Sequence, residues 1–288
     1  LAEVYEQPQD GVNMTLTINY DIQASLEREL DNAVLKYNPD QALGIVMDPN
    51  SGEILAISSR PNFSPSDYQN YTVEEINRNL PIWMTYEPGS TFKIITLAAS
   101  LEEKVVDLDN DTFTDTGGIV VEGATLHCWK HGGHGYETYL QVVENSCNPG
   151  FVNLGLRLGK EKLFSYIDKF GFGEKTGVDL NGEANGIIFN VDKIGDLETA
   201  TTAFGQGVSV TPIQQITAVS AAINGGTLYK PYIVKSLNEP ETNSVILENK
   251  KEVVRKVISD ETSQKVRYAL ESVVTNGTGR PAFIEGYR

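Results

Sequence analysis

Alternating and helical patterns of apolar residues follow one another along the first part of the chain. Residues 14–18 alternate between polar and apolar side chains, which predicts a strand. We expect Asp21 to cap a helix, because apolar residues recur every three or four positions from there to Tyr37. Two short apolar runs, 43–47 and 54–58, are joined by a loop that contains proline and glycine. This arrangement predicts a β-hairpin.

The remainder of the chain is mainly helical in pattern. Residues 94–101 have helical spacing and are apolar enough for a buried helix, whereas 61–85 and 104–138 are rich in turn-forming residues and predict irregular connections. Further helices are expected at 140–145, 151–158 and 160–170, from Pro212 to Gly225 and after Ser259, with extended chain at 227–237 and 244–247. With no internal repeat and no clear linker, helices that follow a hairpin predict one mixed α/β domain over residues 1–288.

The composition is ordinary for a globular protein. Of the 288 residues, 40% are hydrophobic and 22% are charged, which is enough to bury a core. The net charge of −16 argues against nucleic acid or an anionic membrane surface as a direct partner. No apolar run approaches the length of a membrane span, and the chain begins at Leu1 without a signal-like segment, so we expect an excised ectodomain.

Ser90 and Lys93 are the first candidates for chemistry. They are one turn apart at the start of the buried helix, so their side chains would share a face. A serine hydroxyl becomes an effective nucleophile when a base lies within hydrogen-bond reach. Burial at a helix N-terminus would lower the pKa of Lys93 and suit it to that role. The spacing alone is common, however, and a serine at a helix start is usually only an N-cap.

The residues around this pair carry a resemblance to a known family. The segment Tyr86-Glu-Pro-Gly-Ser-Thr-Phe-Lys-Ile94 resembles the nucleophile motif of class B penicillin-binding proteins, the peptidoglycan transpeptidases. Ser146-Cys147-Asn148 is similar to the Ser-x-Asn element of that family. The resemblance implies that Ser146 serves in the proton relay to the leaving group and that Asn148 binds the substrate amide. A locally extended triplet would point both side chains away from Cys147.

A third family element, Lys-Thr-Gly on an edge strand, has a tempting match. Lys175-Thr176-Gly177 lies in a glycine-punctuated segment that predicts a turn, so we interpret it as a decoy. Phe204-Gly-Gln-Gly207, Thr211-Pro212 and 275–279 match other parts of the family. The resemblance places the catalytic triplet shortly after 275–279, beyond the last residue printed. We therefore expect a transpeptidase domain that is truncated before this strand, lacks the C-terminal sheet strands and is inactive alone.

The resemblance implies a serine β-lactamase-like fold and acyl transfer without a cofactor. Ser90 would attack the penultimate D-Ala carbonyl of a peptidoglycan stem peptide, and β-lactam antibiotics would acylate it in the same way. The backbone amide of Ser90 would be one of two oxyanion donors, and losing one such donor costs about 10²–10³ in rate. The implied setting is the extracytoplasmic face of the bacterial membrane, with an anchor outside this chain. A membrane glycosyltransferase and other cell-wall machinery are the implied partners.

Other functions remain open at this stage. A β-lactam sensor would be acylated without turnover, and a β-lactamase would need a deacylating base for which the sequence offers no clear glutamate motif. A paralogue without activity is a further alternative. The Cys- and His-rich loop is similar to that of sporulation-type members of the family.

This loop is a candidate metal site. All three histidines lie in His127-Cys128-Trp-Lys-His131-Gly-Gly-His134, and the second cysteine interrupts the Ser-x-Asn element. A structural zinc ion could be held by Cys128, His134 and Cys147, with His131, His127 or Asp115 as the fourth ligand. A Cys128–Cys147 disulfide is the second interpretation, and unligated side chains are the third. A catalytic metal is not expected, because Ser90 and Lys93 already supply the nucleophile and the base.

Overall fold

The computed structural model describes residues 11–287, in which helices surround one central helix and short antiparallel strands lie around them. The helices are α1 (Tyr20–Tyr37), α2 (Val73–Asn77), α3 (Leu80–Trp83), α4 (Lys93–Glu102), α5 (Tyr139–Glu144), α6 (Asn148–Leu158), α7 (Lys160–Lys169), α8 (Asp196–Thr202), α9 (Pro212–Ile223) and α10 (Asp260–Asn276). The strands are β1 (Asn13–Leu16), β2 (Ala42–Met47), β3 (Ile54–Arg60), β4 (Thr112–Asp115), β5 (Gly118–Val121), β6 (Ala124–His127), β7 (Gly135–Thr138), β8 (Thr227–Tyr229), β9 (Val234–Asn238), β10 (Val245–Glu248) and β11 (Val253–Lys256).

The described strands pair in antiparallel fashion. One sheet has the order β1-β9-β10, and the others are the pairs β2–β3, β4–β7, β5–β6 and β8–β11. In the hairpin β2–β3, Ala42 lies opposite Arg60 and Ile45 lies opposite Ile57. The hairpin predicted from the two apolar runs is therefore confirmed.

The main core forms around α4. Every residue of α4 from Lys93 to Leu101 is buried except the partly buried Ile94, because α6, α7, α9 and α10 pack against it. The largest fully buried side chains of this core include Phe92, Ile95, Leu97, Tyr139, Phe151, Leu154, Leu163, Ile167 and Phe170. Burying each such side chain stabilises the fold by about 1.5–3 kcal/mol. The helix that carries Lys93 is thus rigidly held on all sides.

A smaller core joins the hairpin to the helical part. Ile54 of β3, Ile82 of α3, Val178 and Ile213 of α9 are buried together. Thr211 caps α9 through its side-chain oxygen and Pro212 is the first helical residue, as the sequence predicts. This packing fixes the segment between α3 and α4, from which the candidate nucleophile projects.

Several local predictions were wrong or incomplete. The cap of α1 is Asn19, not Asp21, because the Asn19 side chain accepts hydrogen bonds from the N–H groups of Asp21 and Ile22. The stretch 104–138 is not irregular but folds into the strand pairs β4–β7 and β5–β6. Its strands are only four residues each, so periodicity did not reveal them. The helices α2, α3 and α8 and the strand β11 also lacked a recognised pattern.

Within residues 11–287, no helix combines the length and the apolar character that crossing a membrane requires.

Candidate active site and metal cluster

Ser90 lies in a tight turn that leads into the buried helix α4. Residues 89–92 form a 3₁₀ turn, Ser90 is exposed, and Lys93 is the first residue of α4 with only 4% of its surface exposed. Gly89 enters the turn with φ of +54°, a conformation that favours glycine. The first backbone N–H groups of a helix have no partner inside it; that of Gly89 donates to Gly205, and that of Ser90 is placed for an oxyanion. The predicted arrangement of Ser90 and Lys93 at a helix start is confirmed.

The Phe204–Gly207 segment supports this turn from outside. Gly89 N–H donates to the Gly205 carbonyl at 2.9 Å, and Gly207 N–H donates to the Glu87 carboxylate at 2.8 Å. Tyr86 exchanges backbone hydrogen bonds with Val210 on the same side. The sequence pattern Phe-Gly-Gln-Gly therefore marks a segment that fixes the position of the turn that carries Ser90.

Lys93 is directed at the Ser-x-Asn triplet. Its Nζ donates to the carbonyl oxygen of Ser146 at 2.7 Å, to Ser146 Oγ at 3.0 Å and to Asn148 Oδ1 at 2.7 Å. Burial lowers the pKa of Lys93 to about 8, an effect that Cys147 and Cys128 partly oppose. The ammonium form spends its three N–H groups on these acceptors. Near neutral pH a usable fraction of Lys93 is therefore uncharged and able to accept a proton.

Ser146 has a left-handed backbone, with φ of +50°. Its N–H donates to the Val143 carbonyl and the next N–H, of Cys147, donates to the Val142 carbonyl, both at 3.0 Å. This is a Schellman ending of α5 in which Ser146 occupies the position that glycine usually takes. The prediction of an extended triplet was wrong, because one chain reversal has to separate α5 from α6. Its consequence holds nonetheless, since Ser146 and Asn148 reach Lys93 while Cys147 is fully buried.

An apolar cavity of about 230 Å³ adjoins these groups. Its lining includes Ser90, Lys93 and Ser146 on one side and Leu270, Val273 and Thr278 of the α10 region on the other. Asn148 is held next to this lining by its Oδ1, which accepts from Lys93, and its Nδ2 donates to the His127 carbonyl at 3.1 Å. The cleft thus brings the candidate nucleophile and the candidate base close to a second hydroxyl and an amide.

Lys175-Thr176-Gly177 lies elsewhere. The segment has no regular secondary structure, and Thr176 is bound to the buried Glu183 through its N–H at 2.7 Å and its hydroxyl at 2.6 Å. Gly177 N–H donates to the other oxygen of the same carboxylate at 3.1 Å. The prediction that this triplet sits in a turn and not on a strand is confirmed. The backbone of the triplet is instead folded around the Glu183 carboxylate.

Four side chains converge behind the Ser-x-Asn triplet. The ligand atoms of Asp115, Cys128, His134 and Cys147 all lie within 4.8 Å of one another. His134 Nδ1 is 3.4 Å from Cys128 Sγ and 3.0 Å from Asp115 Oδ2, and Cys147 Sγ is 3.4 Å from the same oxygen. We call these four residues the metal cluster. Of the three residues considered for the fourth position the cluster contains Asp115, whereas His127 and His131 are exposed and lie outside it.

The metal cluster fits a tetrahedral ion. A zinc ion with bonds of about 2.0–2.3 Å keeps its ligand atoms roughly 3.3–3.8 Å apart. Three of the ligand pairs are 3.0–3.4 Å apart, and all pairs lie within 4.8 Å. Burial acts to raise the pKa of Asp115, but hydrogen bonds from Cys128, Gly117 and His134 outweigh it and lower that pKa to about 2. Burial raises the pKa of both thiols. Both cysteines are free thiols, so the structure contains no Cys128–Cys147 disulfide.

A tight turn at Gly132-Gly133, in which Gly133 N–H donates to the Lys130 carbonyl, brings His134 to the metal cluster. Both glycines have positive φ, and a Cβ on Gly133 would overlap the Asp115 carbonyl and the Gly117 N–H. The expected close fold around the site is confirmed.

Sequence reasoning missed the residues that hold Ser146 in place. Asn145 Nδ2 donates to the buried Glu137 at 2.6 Å, and the Asn145 carbonyl accepts from Trp129 Nε1 at 2.8 Å. Thr278 N–H donates to the Glu144 carbonyl at 2.9 Å. Glu144 and Asn145 directly precede the triplet, but a polar pair at a helix end carries no signal that separates anchoring from solvation.

Comparison with known proteins identifies the family to which the domain with this cleft belongs. Residues 42–288 match the family model described as the penicillin binding protein transpeptidase domain. The chain belongs to this family. The predicted resemblance and the mixed α/β transpeptidase fold are confirmed.

The following relatives are similar to this chain over nearly its whole length. Stage V sporulation protein D of Bacillus subtilis is 61% identical over 287 residues, which is all of this chain and 44% of that protein. Penicillin binding protein 3 of Mycobacterium tuberculosis, complexed with aztreonam, superposes with a TM-score of 0.91 at 30% identity over 99% of this chain and 65% of that chain. The D,D-transpeptidase domain of a peptidoglycan glycosyltransferase from Eggerthella lenta has a TM-score of 0.86 at 28% identity over 96% and 69%. The chain thus spans less than half the length of the sporulation protein.

Proposed function

We propose that the protein is a peptidoglycan D,D-transpeptidase that works through a Ser90 acyl-enzyme. The observation that carries the proposal is the convergence of Ser90, Lys93, Ser146 and Asn148 on one cleft in a domain of the penicillin-binding family. The substrate would be a stem peptide ending in D-Ala-D-Ala, and β-lactams would acylate the same serine. The 61% identity with a stage V sporulation protein supports a role in building the spore wall.

Each group has a defined part in the proposed reaction. Uncharged Lys93 accepts the proton of Ser90 while Ser90 Oγ bonds to the penultimate D-Ala carbonyl carbon. The Ser90 N–H stabilises the negative oxygen that results. Ser146 Oγ, hydrogen-bonded to Lys93, passes a proton to the departing D-Ala nitrogen as the peptide bond breaks. Asn148 binds the substrate amide. An amine of a second stem peptide then attacks the ester and frees Ser90.

Covalent labelling tests the nucleophile. In the full-length protein, labelled penicillin should bind the wild type and fail to bind Ser90→Ala. Ser100→Ala is the matched control, since Ser100 is a buried serine on the same helix without a hydrogen-bond partner among the described residues. Covalent label on Ser90→Ala would refute the assignment.

Turnover separates an enzyme from a sensor. A transpeptidase should release D-Ala from a stem pentapeptide and join it to an added amine acceptor. A β-lactam sensor would form a stable acyl adduct but release no D-Ala. Since the proposed substrate is peptidoglycan, the proposed location is the extracytoplasmic face of the membrane, with cell-wall glycosyltransferases as partners.

We also propose that the metal cluster binds a structural zinc ion. Asp115, Cys128, His134 and Cys147 would be its ligands, and the ion would brace the Ser-x-Asn triplet from behind through Cys147. Because the thiols must lose protons to bind zinc, binding should release protons and weaken at low pH. The chemistry at Ser90 needs no metal.

Metal analysis of protein purified without added zinc tests this site. We expect about one zinc ion per chain in the wild type and in His131→Ala, an exposed histidine outside the cluster, and little in Cys128→Ser or Asp115→Asn. Chelation should lower the unfolding temperature of the wild type. Protein without metal, or equal metal content in all variants, would refute the zinc site.

A further inference from the structure

Three consecutive residues at the end of α5 are held by three different parts of the fold. Glu144 contacts the α10 region, Asn145 contacts Glu137 and Trp129, and Ser146 accepts from Lys93. The last of the three has the left-handed backbone, which costs a non-glycine residue roughly 1–2 kcal/mol. Such a conformation persists only where its surroundings determine it. The contacts on its N-terminal side are therefore candidates for what keeps it.

Glu144 makes the more extensive of these contacts. Ser272 Oγ of α10 donates to its carboxylate in a very short hydrogen bond, and Asn276 Nδ2 donates in turn to Ser272 Oγ at 3.2 Å. The Glu144 carbonyl accepts from Thr278 N–H at 2.9 Å and from Thr278 Oγ1 at 3.2 Å. Side chain and backbone of Glu144 are thus both bound to residues 272–278, which are the C-terminal end of α10 and the two residues after it.

The C-terminal end of α10 lies very close to α5. A Cβ on Gly277 would overlap the Glu144 carbonyl oxygen. Ser272 is only 7% exposed, so its hydroxyl has little access to water as an alternative partner. If the Glu144 carboxylate were removed, the Ser272 hydroxyl would be left in the interface without an acceptor. The end of α5 would then be free to relax from its left-handed turn.

We infer that Glu144 is a positioning residue for acylation, which holds the Ser146 hydroxyl and carbonyl against Lys93 by binding α5 to the C-terminal end of α10, residues 272–278. The inference deepens the proposed acyl transfer and rests on it. Glu144 touches no reacting atom. Its effect should therefore fall on the chemical step, where the geometry of Ser146 matters, and not on the initial binding of a β-lactam in the cleft.

The test uses the full-length protein and labelled penicillin, with the dissociation constant of the first complex and the acylation rate constant measured separately. Glu144→Ala should lower the rate constant about tenfold or more and change the dissociation constant less than about twofold. Glu144→Gln keeps an oxygen that accepts from Ser272 and should restore most of the rate. Glu261→Ala, which removes a carboxylate from an exposed ion pair with Lys265 on the first turn of α10, is the control and should match the wild type.

Ser272→Ala provides a second approach if Glu144→Ala does not fold, and it should also slow acylation without weakening the first complex. The inference is overturned if both variants acylate at the wild-type rate, or if Glu144→Gln is as slow as Glu144→Ala. Either result would leave the proposed function intact as long as Ser90 takes up the label. Label that persists on Ser90→Ala would instead overturn the proposed function.

Discussion

The backbone N–H of Gly89 donates to the carbonyl of Gly205 at 2.9 Å, and the two backbones are so close that no side chain fits between them. A Cβ on Gly205 would overlap the backbone of Gly89 from its nitrogen to its oxygen. Gly205 also has φ of +81°, which an L-residue rarely adopts. The residue before the nucleophile is therefore fixed by a glycine more than a hundred positions away in the sequence.

We expect Gly205→Ala to slow acylation of Ser90 and to lower stability. The methyl group must displace the 3₁₀ turn that carries Ser90, and a displacement of about 1 Å can cost 10²-fold in rate. Gly123→Ala is the matched control, because Gly123 has φ of +82° but nothing within 4 Å of its Cβ position. Both variants should lose stability to backbone strain, yet only Gly205→Ala should lose acylation. Equal acylation rates for the two would contradict this account of the turn.

The pH dependence of acylation should report Lys93. Burial lowers the pKa of Lys93 to about 8, and the uncharged amine is the form that accepts the Ser90 proton. Below that pH the rate should fall about tenfold per unit, and above it the rate should level off. Initial rates of penicillin labelling between pH 6 and 9.5 provide the measurement. A rate that stays constant over this range, with the protein folded throughout, would exclude Lys93 as the base.

The same shift has a consequence for stability. Because the pKa of Lys93 is lower in the folded than in the unfolded protein, the unfolded state binds more protons between about pH 8 and 10.5. The contribution of Lys93 to the free energy of unfolding should therefore rise with pH through that window. Lys93→Met, which removes the buried charge, should remove this part of the pH dependence in chemical denaturation.

We expect Lys175-Thr176-Gly177 to have no part in catalysis. Lys175 is exposed and its neighbours bind Glu183, so Lys175→Ala should acylate within about twofold of the wild type, like other surface substitutions. Thr176→Val should instead lower the melting temperature, because it leaves the buried Glu183 carboxylate without its hydroxyl donor at 2.6 Å. Loss of acylation in Lys175→Ala at unchanged stability would restore the triplet as a candidate for the third family element.

The sequence predicted those features that depend on neighbouring residues. The hairpin β2–β3, the cap and first proline of α9, and the placement of Ser90 and Lys93 at one helix start follow from local patterns of apolar residues, turns and spacing. The family motifs extended the prediction of the site to Ser146 and Asn148. Long-range placement was predictable only where the residue chemistry was unusual, as in His134 and the two cysteines that meet at the metal cluster.

Features that depend on tertiary contacts were not predictable. Glu144 has the same local surroundings as any glutamate at a helix end, and its partners Ser272 and Thr278 lie in a different helix and turn. Asp115 was one of three options for the metal cluster because spacing alone could not decide among them. The left-handed backbone of Ser146 was missed because propensity assigns that conformation to glycine, whereas the proposed reaction requires a hydroxyl at this position.

That conflict at Ser146 can be measured. Ser146→Gly and Ser146→Ala both remove the hydroxyl, but only the alanine keeps a Cβ at φ of +50°. We expect the glycine variant to be more stable than the alanine variant by about 1 kcal/mol, and at least as stable as the wild type.

Both variants should acylate at least tenfold more slowly than the wild type, because the proton relay to the leaving group is lost. General acid catalysis contributes about 10²–10⁴ in rate. Chemical denaturation and penicillin labelling give the two quantities. If alanine were as stable as glycine, the backbone of Ser146 would not be strained. If both variants acylated normally, its hydroxyl would have no part in acylation.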